Sequence, residues 1–148
     1  MRIPDGGIDM LAQRPLFSGL SRKELKSIAA LGVTIEISAG QELTKQDAIG
    51  IEAFLIVSGA ARCVVGDEVQ LATLGPGDFF GELSLLDGAR RSATVIADTD
   101  MVVVVFDKRE FRQLIEASTS IALKLLESMA ARLRVVDQEL AAERLRDQ

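Results

Sequence analysis

One segment of the chain combines residue types that bind a phosphorylated sugar. Gly81 precedes a short apolar stretch, Leu83–Leu86, that is predicted to form a helical turn. Unpaired amides at the start of such a turn bind anions, and a glycine lets a ligand approach the backbone closely. Arg91 would add a two-pronged contact to a phosphate, and the Glu82 carboxylate would accept hydrogen bonds from sugar hydroxyls. The pattern indicates a ribose phosphate site; the alternative is a simple ion pair between Glu82 and Arg91.

Composition limits the chemistry that the chain can perform. Its 148 residues predict one domain with a real core, and 48% of them are hydrophobic. The absence of histidine excludes Ser-His-Asp hydrolases and nearly every His-liganded metal site, so we assign no catalytic residue and no metal ligand. The single cysteine, Cys63, fits a reducing cytoplasm. A net charge of −5 without Trp or Tyr argues against nucleic-acid binding, and no apolar run is long enough to span a membrane.

Three regions position these residues within the expected single domain, residues 1–148. Residues 1–31 are predicted to be helical, with a capping box from Ser21 to Glu24 and with Gly32 ending the helix in a left-handed conformation. Residues 32–107 read as short strands separated by turns, which is typical of an antiparallel barrel or sandwich. The predicted strands are Val33–Ile37, Phe54–Ser58, Ala61–Val65, Val69–Leu74, Ser92–Ala97 and Met101–Phe106.

The third region, residues 108–148, is predicted to be helical. A second capping box runs from Asp107 to Glu110, and Ser118–Ser120 provides N-caps for a long helix toward Arg146. That helix carries apolar residues at heptad spacing, which predicts a homodimer seam over Ala122–Leu140. The alternative is a helix that packs on its own chain. The seam residues are Ala122, Leu126, Met129, Leu133, Val136 and Leu140.

The segment Phe80–Leu86, followed by Arg91–Val95, closely resembles the phosphate-binding cassette of the cyclic nucleotide-binding domain family. The resemblance extends over nearly the whole chain, and its C-terminal part is similar to the catabolite-activator branch. It implies a mainly β fold, an antiparallel β-roll with an N-terminal helical motif, the cassette at residues 80–95, and C-terminal helices. The further matching segments are Pro15–Phe17 with Leu20, Phe54–Gly59, Phe111–Ile115 and Met129–Leu133.

The resemblance also implies roles for individual residues. Arg91 would hold the exocyclic oxygens of a cyclic phosphate, and Glu82 would accept the ribose 2′-hydroxyl. Gly81, Leu83 and Ser84 would contribute backbone groups around the ribose and the phosphate.

Purine choice rests on the position of Ser92. In the family, threonine there accompanies cyclic GMP and alanine accompanies cyclic AMP. A serine serves either nucleotide, so cyclic GMP stays possible. Cyclic AMP is favoured because the most similar branch uses it.

Two segments depart from the family pattern. The family's Gln-Gly-Asp turn is replaced by Lys45-Gln46-Asp47 with Gly50 later, which predicts a reshaped loop that does not touch the phosphate site. Where catabolite activators place hydroxyl residues against adenine, this chain has Val136 and Asp137. Valine cannot hydrogen-bond a base, whereas Asp137 could accept from the amino group of adenine. The alternative for Asp137 is an exposed helical charge.

These observations predict a non-enzymatic cyclic nucleotide sensor in which the ligand shifts the cassette and the C-terminal helix. No helix-turn-helix pattern follows Val136, so we expect no effector domain and no direct DNA binding from this chain. One alternative is a degenerate β-roll that serves for dimerisation or as a scaffold. Another is the excised sensor of a larger transcription regulator, channel or enzyme.

Overall fold

The computed structural model describes residues 3, 5–66 and 69–146. By the contacts between its residues the chain divides into two compact units, residues 1–114 and residues 115–148. The first unit contains all of the strands and the cassette, and the second contains the long C-terminal helix. Within the described residues, every helix is too short or too polar to cross a membrane.

Two four-stranded antiparallel sheets form the centre of the first unit, which confirms the predicted roll with flanking helices. One sheet has the strand order β1-β8-β3-β6 and the other β2-β7-β4-β5. The strands are β1 (Val33–Ile37), β2 (Glu42–Thr44), β3 (Glu52–Ser58), β4 (Ala61–Val65), β5 (Val69–Leu74), β6 (Phe79–Phe80), β7 (Thr94–Ala97) and β8 (Met101–Asp107).

Alternate residues of the strands build the core between the sheets. On β3 and β8, Phe54 lies opposite Val105 and Ile56 lies opposite Val103. These four side chains are buried in one cluster with residues of the other sheet, including Val95. Glu52 pairs directly with Asp107 and lies two residues before Phe54, while Asp107 lies two residues after Val105. Because alternate residues of a strand face the same side, both acidic residues end this row. Two carboxylates thus stand where the apolar row stops.

Sequence patterning located six strands but not β2 and β6. Those two strands have three and two residues, respectively, which is too short for an alternating pattern. Their pairing partners, β7 and β3, hold them in place.

The helices begin where side-chain caps were predicted. The Ser21 and Glu24 side chains form both bonds of a capping box at the start of α2. Asp107 and Glu110 form the second box, with the Glu110 amide donating to Asp107 Oδ1 at 2.8 Å. The Ile121 amide donates to Ser118 Oγ at 3.2 Å at the start of the long helix. The helices are α1 (Asp5–Ala12), α2 (Arg22–Leu31), α3 (Glu82–Asp87), α4 (Lys108–Ala117) and α5 (Thr119–Arg146), with a 3-10 turn at Pro15–Phe17.

The prediction that Gly32 ends α2 in a left-handed conformation is wrong. Gly32 has φ −102° and ψ −174°, an extended backbone that any residue adopts. A Cβ at this position would lie 2.6 Å from the carbonyl oxygen of Val105 and 2.7 Å from Cγ1 of Val104. Glycine therefore serves close packing against β8 here, and not chain reversal.

Candidate phosphate-binding site

The cassette runs from β6 through α3 to Arg91, and its two turns depend on glycine. Gly81, the N-cap of α3, has φ 83°, and Gly88, the C-cap, has φ 70°. Residues with a Cβ pay a conformational penalty in this region, whereas glycine does not. A Cβ on Gly81 would also lie 2.8 Å from Nη1 of Arg91 and 3.1 Å from the Glu52 carbonyl oxygen. Gly81 therefore allows both the turn and the approach of the arginine.

Arg91 is the central cation of the site, and only 8% of it is exposed. Its Nη1 donates to the Gly81 carbonyl at 2.8 Å, and its Nη2 donates to the Glu52 carbonyl at 2.6 Å. The guanidinium carbon lies 6.0 Å from the centre of the Phe54 ring, which stacks on Phe80 at 4.9 Å. A guanidinium has five N–H donors, so it can bind a further acceptor beside these two carbonyls.

Burial and two carboxylates act on this cation in opposite directions. Loss of solvation lowers the pKa of Arg91 below its ordinary value, while the charges of Glu52 and Glu82 raise it. Glu82 is completely buried and Glu52 is partly buried. Arginine stays protonated even in such surroundings. The site thus presents a fixed positive charge beside buried hydrogen-bond acceptors.

The prediction that the loop after Lys45 does not touch the phosphate site is wrong. The amide of Asp47 donates to the carbonyl of Arg91 at 2.9 Å, and the amide of Arg91 donates to the carbonyl of Ala48 at 2.8 Å. Nη1 of Arg90 also donates to the Asp47 carbonyl at 3.0 Å. These bonds join residues more than forty positions apart, so the spacing of residues within the loop does not reveal them.

Gly50 brings this loop against the side chains of two predicted site residues. A Cβ there would lie 2.5 Å from Cβ of Ser84 and 2.7 Å from Nε of Arg91, closer than real Cβ atoms approach. Gly50 is therefore a contact residue of the site, although it was predicted only as part of a departing loop. The signal in the sequence was the glycine itself, because glycine is used where another group approaches the backbone closely.

The structure brings four of the predicted site residues together. Gly81, Glu82, Ser84 and Arg91 lie within the cassette, with the Ser84 side chain buried against Gly50. The side chains of Leu83 and Ser92 are exposed, so any contribution from Leu83 would come through its backbone, as predicted.

Glu52 and Phe54 are the further residues that sequence patterning missed as parts of the site. Glu52 contacts Arg91 through its backbone carbonyl. Because every residue has a backbone carbonyl, the residue type does not reveal this contact. Phe54 reads as an ordinary core residue of a strand.

The two predicted base-contact residues lie in α5. The Asp137 side chain is exposed, and the Val136 side chain lies outside the described part of the chain. A contact of either residue with a base stays a prediction.

The sequence profile of the family described as "Cyclic nucleotide-binding domain" matches residues 34–118, which is more than half of the chain. This range contains the whole cassette and, except for Val33, both sheets. The chain belongs to the cyclic nucleotide-binding domain family.

Known members of the family are similar over much of the chain. The "Cyclic AMP receptor protein" of Thermus thermophilus is 34% identical over 130 residues, which cover 85% of this chain and 60% of the relative. The "cAMP-dependent protein kinase regulatory subunit" of Schizosaccharomyces pombe is 35% identical over 106 residues, covering 72% of this chain and 26% of the relative. The chain thus spans between about a quarter and three fifths of these relatives.

Solved structures agree with the family assignment. The catabolite activator protein of Thermus thermophilus superposes with a TM-score of 0.79 at 34% identity, covering 86% of this chain and 62% of that chain. Another solved structure is described by the words "A cyclic-GMP-dependent signalling pathway regulates bacterial phytopathogenesis". It has a TM-score of 0.65 at 34% identity and covers 80% of this chain and 95% of that chain. The β-roll of the family is therefore the fold of this chain.

Proposed function

We propose that this chain binds a purine 3′,5′-cyclic monophosphate, with cyclic AMP as the first candidate, and acts as a non-enzymatic regulatory sensor in the cytoplasm. The observation that carries the proposal is the buried guanidinium of Arg91, held by two backbone carbonyls at 2.6 and 2.8 Å. Neutral carbonyls hold the guanidinium in place without neutralising its charge, so the charge can attract an anion. Because the side chain is already ordered, little conformational entropy is lost when the anion binds.

The part of the nucleotide that each residue would bind follows from the chemistry of its groups. Arg91 provides donors for the exocyclic oxygens of the phosphate, in the two-pronged geometry that guanidinium favours. Glu82, a completely buried carboxylate, is an acceptor suited to the ribose 2′-hydroxyl. Gly81, Leu83 and Ser84 supply backbone groups around the sugar and phosphate. Asp137 and Val136 on α5 are the candidates for contact with the base.

The choice of purine rests on the relatives and on Ser92. Relatives named for cyclic AMP support that ligand, and the similar structure from a cyclic-GMP-dependent pathway keeps cyclic GMP as the competitor. Ser92 is exposed, so its hydroxyl is accessible to a ligand. A direct comparison of the two nucleotides on the same protein decides between them.

We further propose that the sensor is a homodimer through α5. This helix has 28 residues, and Leu126, Leu133 and Leu140 are 61%, 62% and 47% exposed at heptad spacing. Such a row is the geometry of a coiled-coil seam, which a second copy of the helix covers. Ligand binding would then shift a pre-existing equilibrium between arrangements of the cassette and the C-terminal helix.

The experiment is a calorimetric titration of the chain with cyclic AMP and with cyclic GMP, beside the variants Arg91→Ala and Arg112→Ala. Arg91→Ala should weaken binding about 30-fold or more, since truncating a buried, hydrogen-bonded charge partner costs roughly 2–5 kcal/mol. Arg112 is an exposed arginine of α4, so its variant should bind normally. Because the chain has no Trp or Tyr, folding is checked by circular dichroism.

Three outcomes separate the candidates. Binding that is lost in Arg91→Ala and retained in Arg112→Ala supports the sensor. Equal binding in all three proteins would refute the role of Arg91. A folded chain that binds neither nucleotide would favour the dimerisation or scaffold module instead. Should Arg91→Ala not fold, Arg91→Lys keeps the charge and removes the two-pronged contact, and it should still bind more weakly.

A further inference from the structure

Glu52 acts on Arg91 in two ways: its carbonyl accepts a bond from Nη2 at 2.6 Å, and its carboxylate charge acts on the guanidinium. Glu52 is the first residue of β3 and is partly buried. Its even-numbered neighbours Phe54 and Ile56 point into the core between the sheets. Since side chains alternate along a strand, Glu52 faces the same side as they do. Its carboxylate therefore ends the core-facing row beside the cassette.

Asp107 adds a second carboxylate to this face. It is the register partner of Glu52 on β8, and directly opposite residues of an antiparallel pair stand on the same face, roughly 5 Å apart at Cβ. Its Oδ1 atom accepts a bond from the Glu110 amide and so begins α4. Like charges placed directly opposite repel each other. Arg91, whose Nη2 binds the Glu52 carbonyl, is a charge of opposite sign beside this pair.

The carboxylates around Arg91 oppose the binding of an anion to this cation. The Glu52 and Glu82 carboxylates both act on the guanidinium, with Glu52 the stronger of the two. Arg90, the adjacent cation, is exposed and donates to the Asp47 carbonyl through Nη1. An entering phosphate therefore gains the attraction of Arg91 and meets the repulsion of the carboxylates. Attraction and repulsion both double for a doubly charged phosphate, so each carboxylate by itself weakens the binding of a doubly charged phosphate twice as much, in free energy, as that of a singly charged one.

We propose that Glu52 is a specificity-determining residue that competes with the ligand for Arg91 and selects singly charged phosphodiesters over doubly charged phosphomonoesters. The inference rests on the proposed function, because it assumes that the phosphate binds at Arg91. A cyclic nucleotide carries one negative charge, whereas a 5′-monophosphate, with a second pKa near 6, carries two at pH 8. Glu52 thus lowers the affinity for both ligands and lowers it more for the monoester.

The test measures dissociation constants for cyclic AMP and, by competition, for 5′-AMP at about pH 8. Three proteins are compared: the unmodified chain, Glu52→Gln and Glu36→Gln. The glutamine keeps the backbone carbonyl that binds Arg91 and removes only the charge. Glu36 is the matched control, because it is exposed and pairs with Val102, five residues along β8 from Asp107 and roughly 17 Å away.

Glu52→Gln should bind cyclic AMP about twofold to fivefold more tightly than Glu36→Gln, the effect of one partly exposed charge interaction. For 5′-AMP the gain should be about the square of that factor, because the interaction energy doubles with the charge. The preference for the cyclic ligand therefore falls. Raising the salt from about 0.1 M to about 1 M should reduce the difference between the variants.

The inference is overturned if Glu52→Gln binds cyclic AMP no more tightly than Glu36→Gln, or if both ligands gain equally. That failure is distinct from failure of the proposed function, in which the folded, unmodified chain binds no cyclic nucleotide and both proposals fall. If Glu52→Gln does not fold, Glu52→Thr takes its place, since threonine is favoured in strands and also removes the charge while keeping the backbone carbonyl. It should shift both affinities in the same direction, and the absence of a shift refutes the inference.

Discussion

Gly50→Ala tests whether the loop after β2 controls the phosphate site. The added Cβ would lie 2.5 Å from Cβ of Ser84 and 2.7 Å from Nε of Arg91, so one of these neighbours must move. Gly50 has no positive φ, and the cost therefore comes from crowding alone. Inserting one methyl group into a packed region costs about 1–3 kcal/mol.

That cost translates into measurable changes in stability and in binding. At roughly 2–4 °C per kcal/mol for a chain of this size, 2 kcal/mol lowers the melting temperature by about 4–8 °C. Displacing Arg91 by a few tenths of an ångström also misaligns its donors, so the affinity for cyclic AMP should fall about tenfold, as for one weakened charged hydrogen bond. Circular dichroism melting and calorimetric titration measure the two effects.

Gly75→Ala is the matched control for this substitution. Gly75 also lacks a positive φ, and a Cβ there meets no atom within 4 Å. Alanine at such a site is neutral or stabilises by up to about 1 kcal/mol, because it reduces the entropy of the unfolded chain. If Gly50→Ala melts and binds like Gly75→Ala, the loop does not constrain Arg91 and the reasoning fails.

Substitutions of Asp47 test the loop backbone, and a substitution of Leu133 tests the α5 seam. Asp47 has φ 69° and is the only described residue other than glycine with a positive φ. Asp47→Gly should therefore raise the free energy of unfolding by about 0.5–1 kcal/mol in chemical denaturation, and Asp47→Val should lower it. Leu133→Glu should shift sedimentation toward monomer, whereas Ala131→Glu, two residues away and off the heptad row, should not. Equal sedimentation of both variants would contradict the dimer seam.

Interactions between near neighbours in the chain were accessible from the sequence. Both capping boxes join residues three positions apart, at Ser21 with Glu24 and at Asp107 with Glu110, and both were predicted. The strands β1, β4 and β5 begin and end as predicted, because alternating apolar runs bounded by turn residues define them. The cassette was identified by its resemblance to the family, and that resemblance could be seen because its glycines, acid and arginine lie within about a dozen residues.

The tertiary structure decided which distant groups complete the site. Arg91 binds the carbonyl of Glu52 across 39 positions, through a backbone atom that every residue type possesses. A Cβ on Gly32 would lie within 3 Å of β8, and a Cβ on Gly50 would lie within 3 Å of the cassette. Both positions therefore require glycine. Sequence by itself determined the local elements and the candidate residues of the cassette, because both depend on residues a few positions apart. Which loop closes on Arg91, and which carboxylates surround it, depends on packing between segments that only the folded chain brings together.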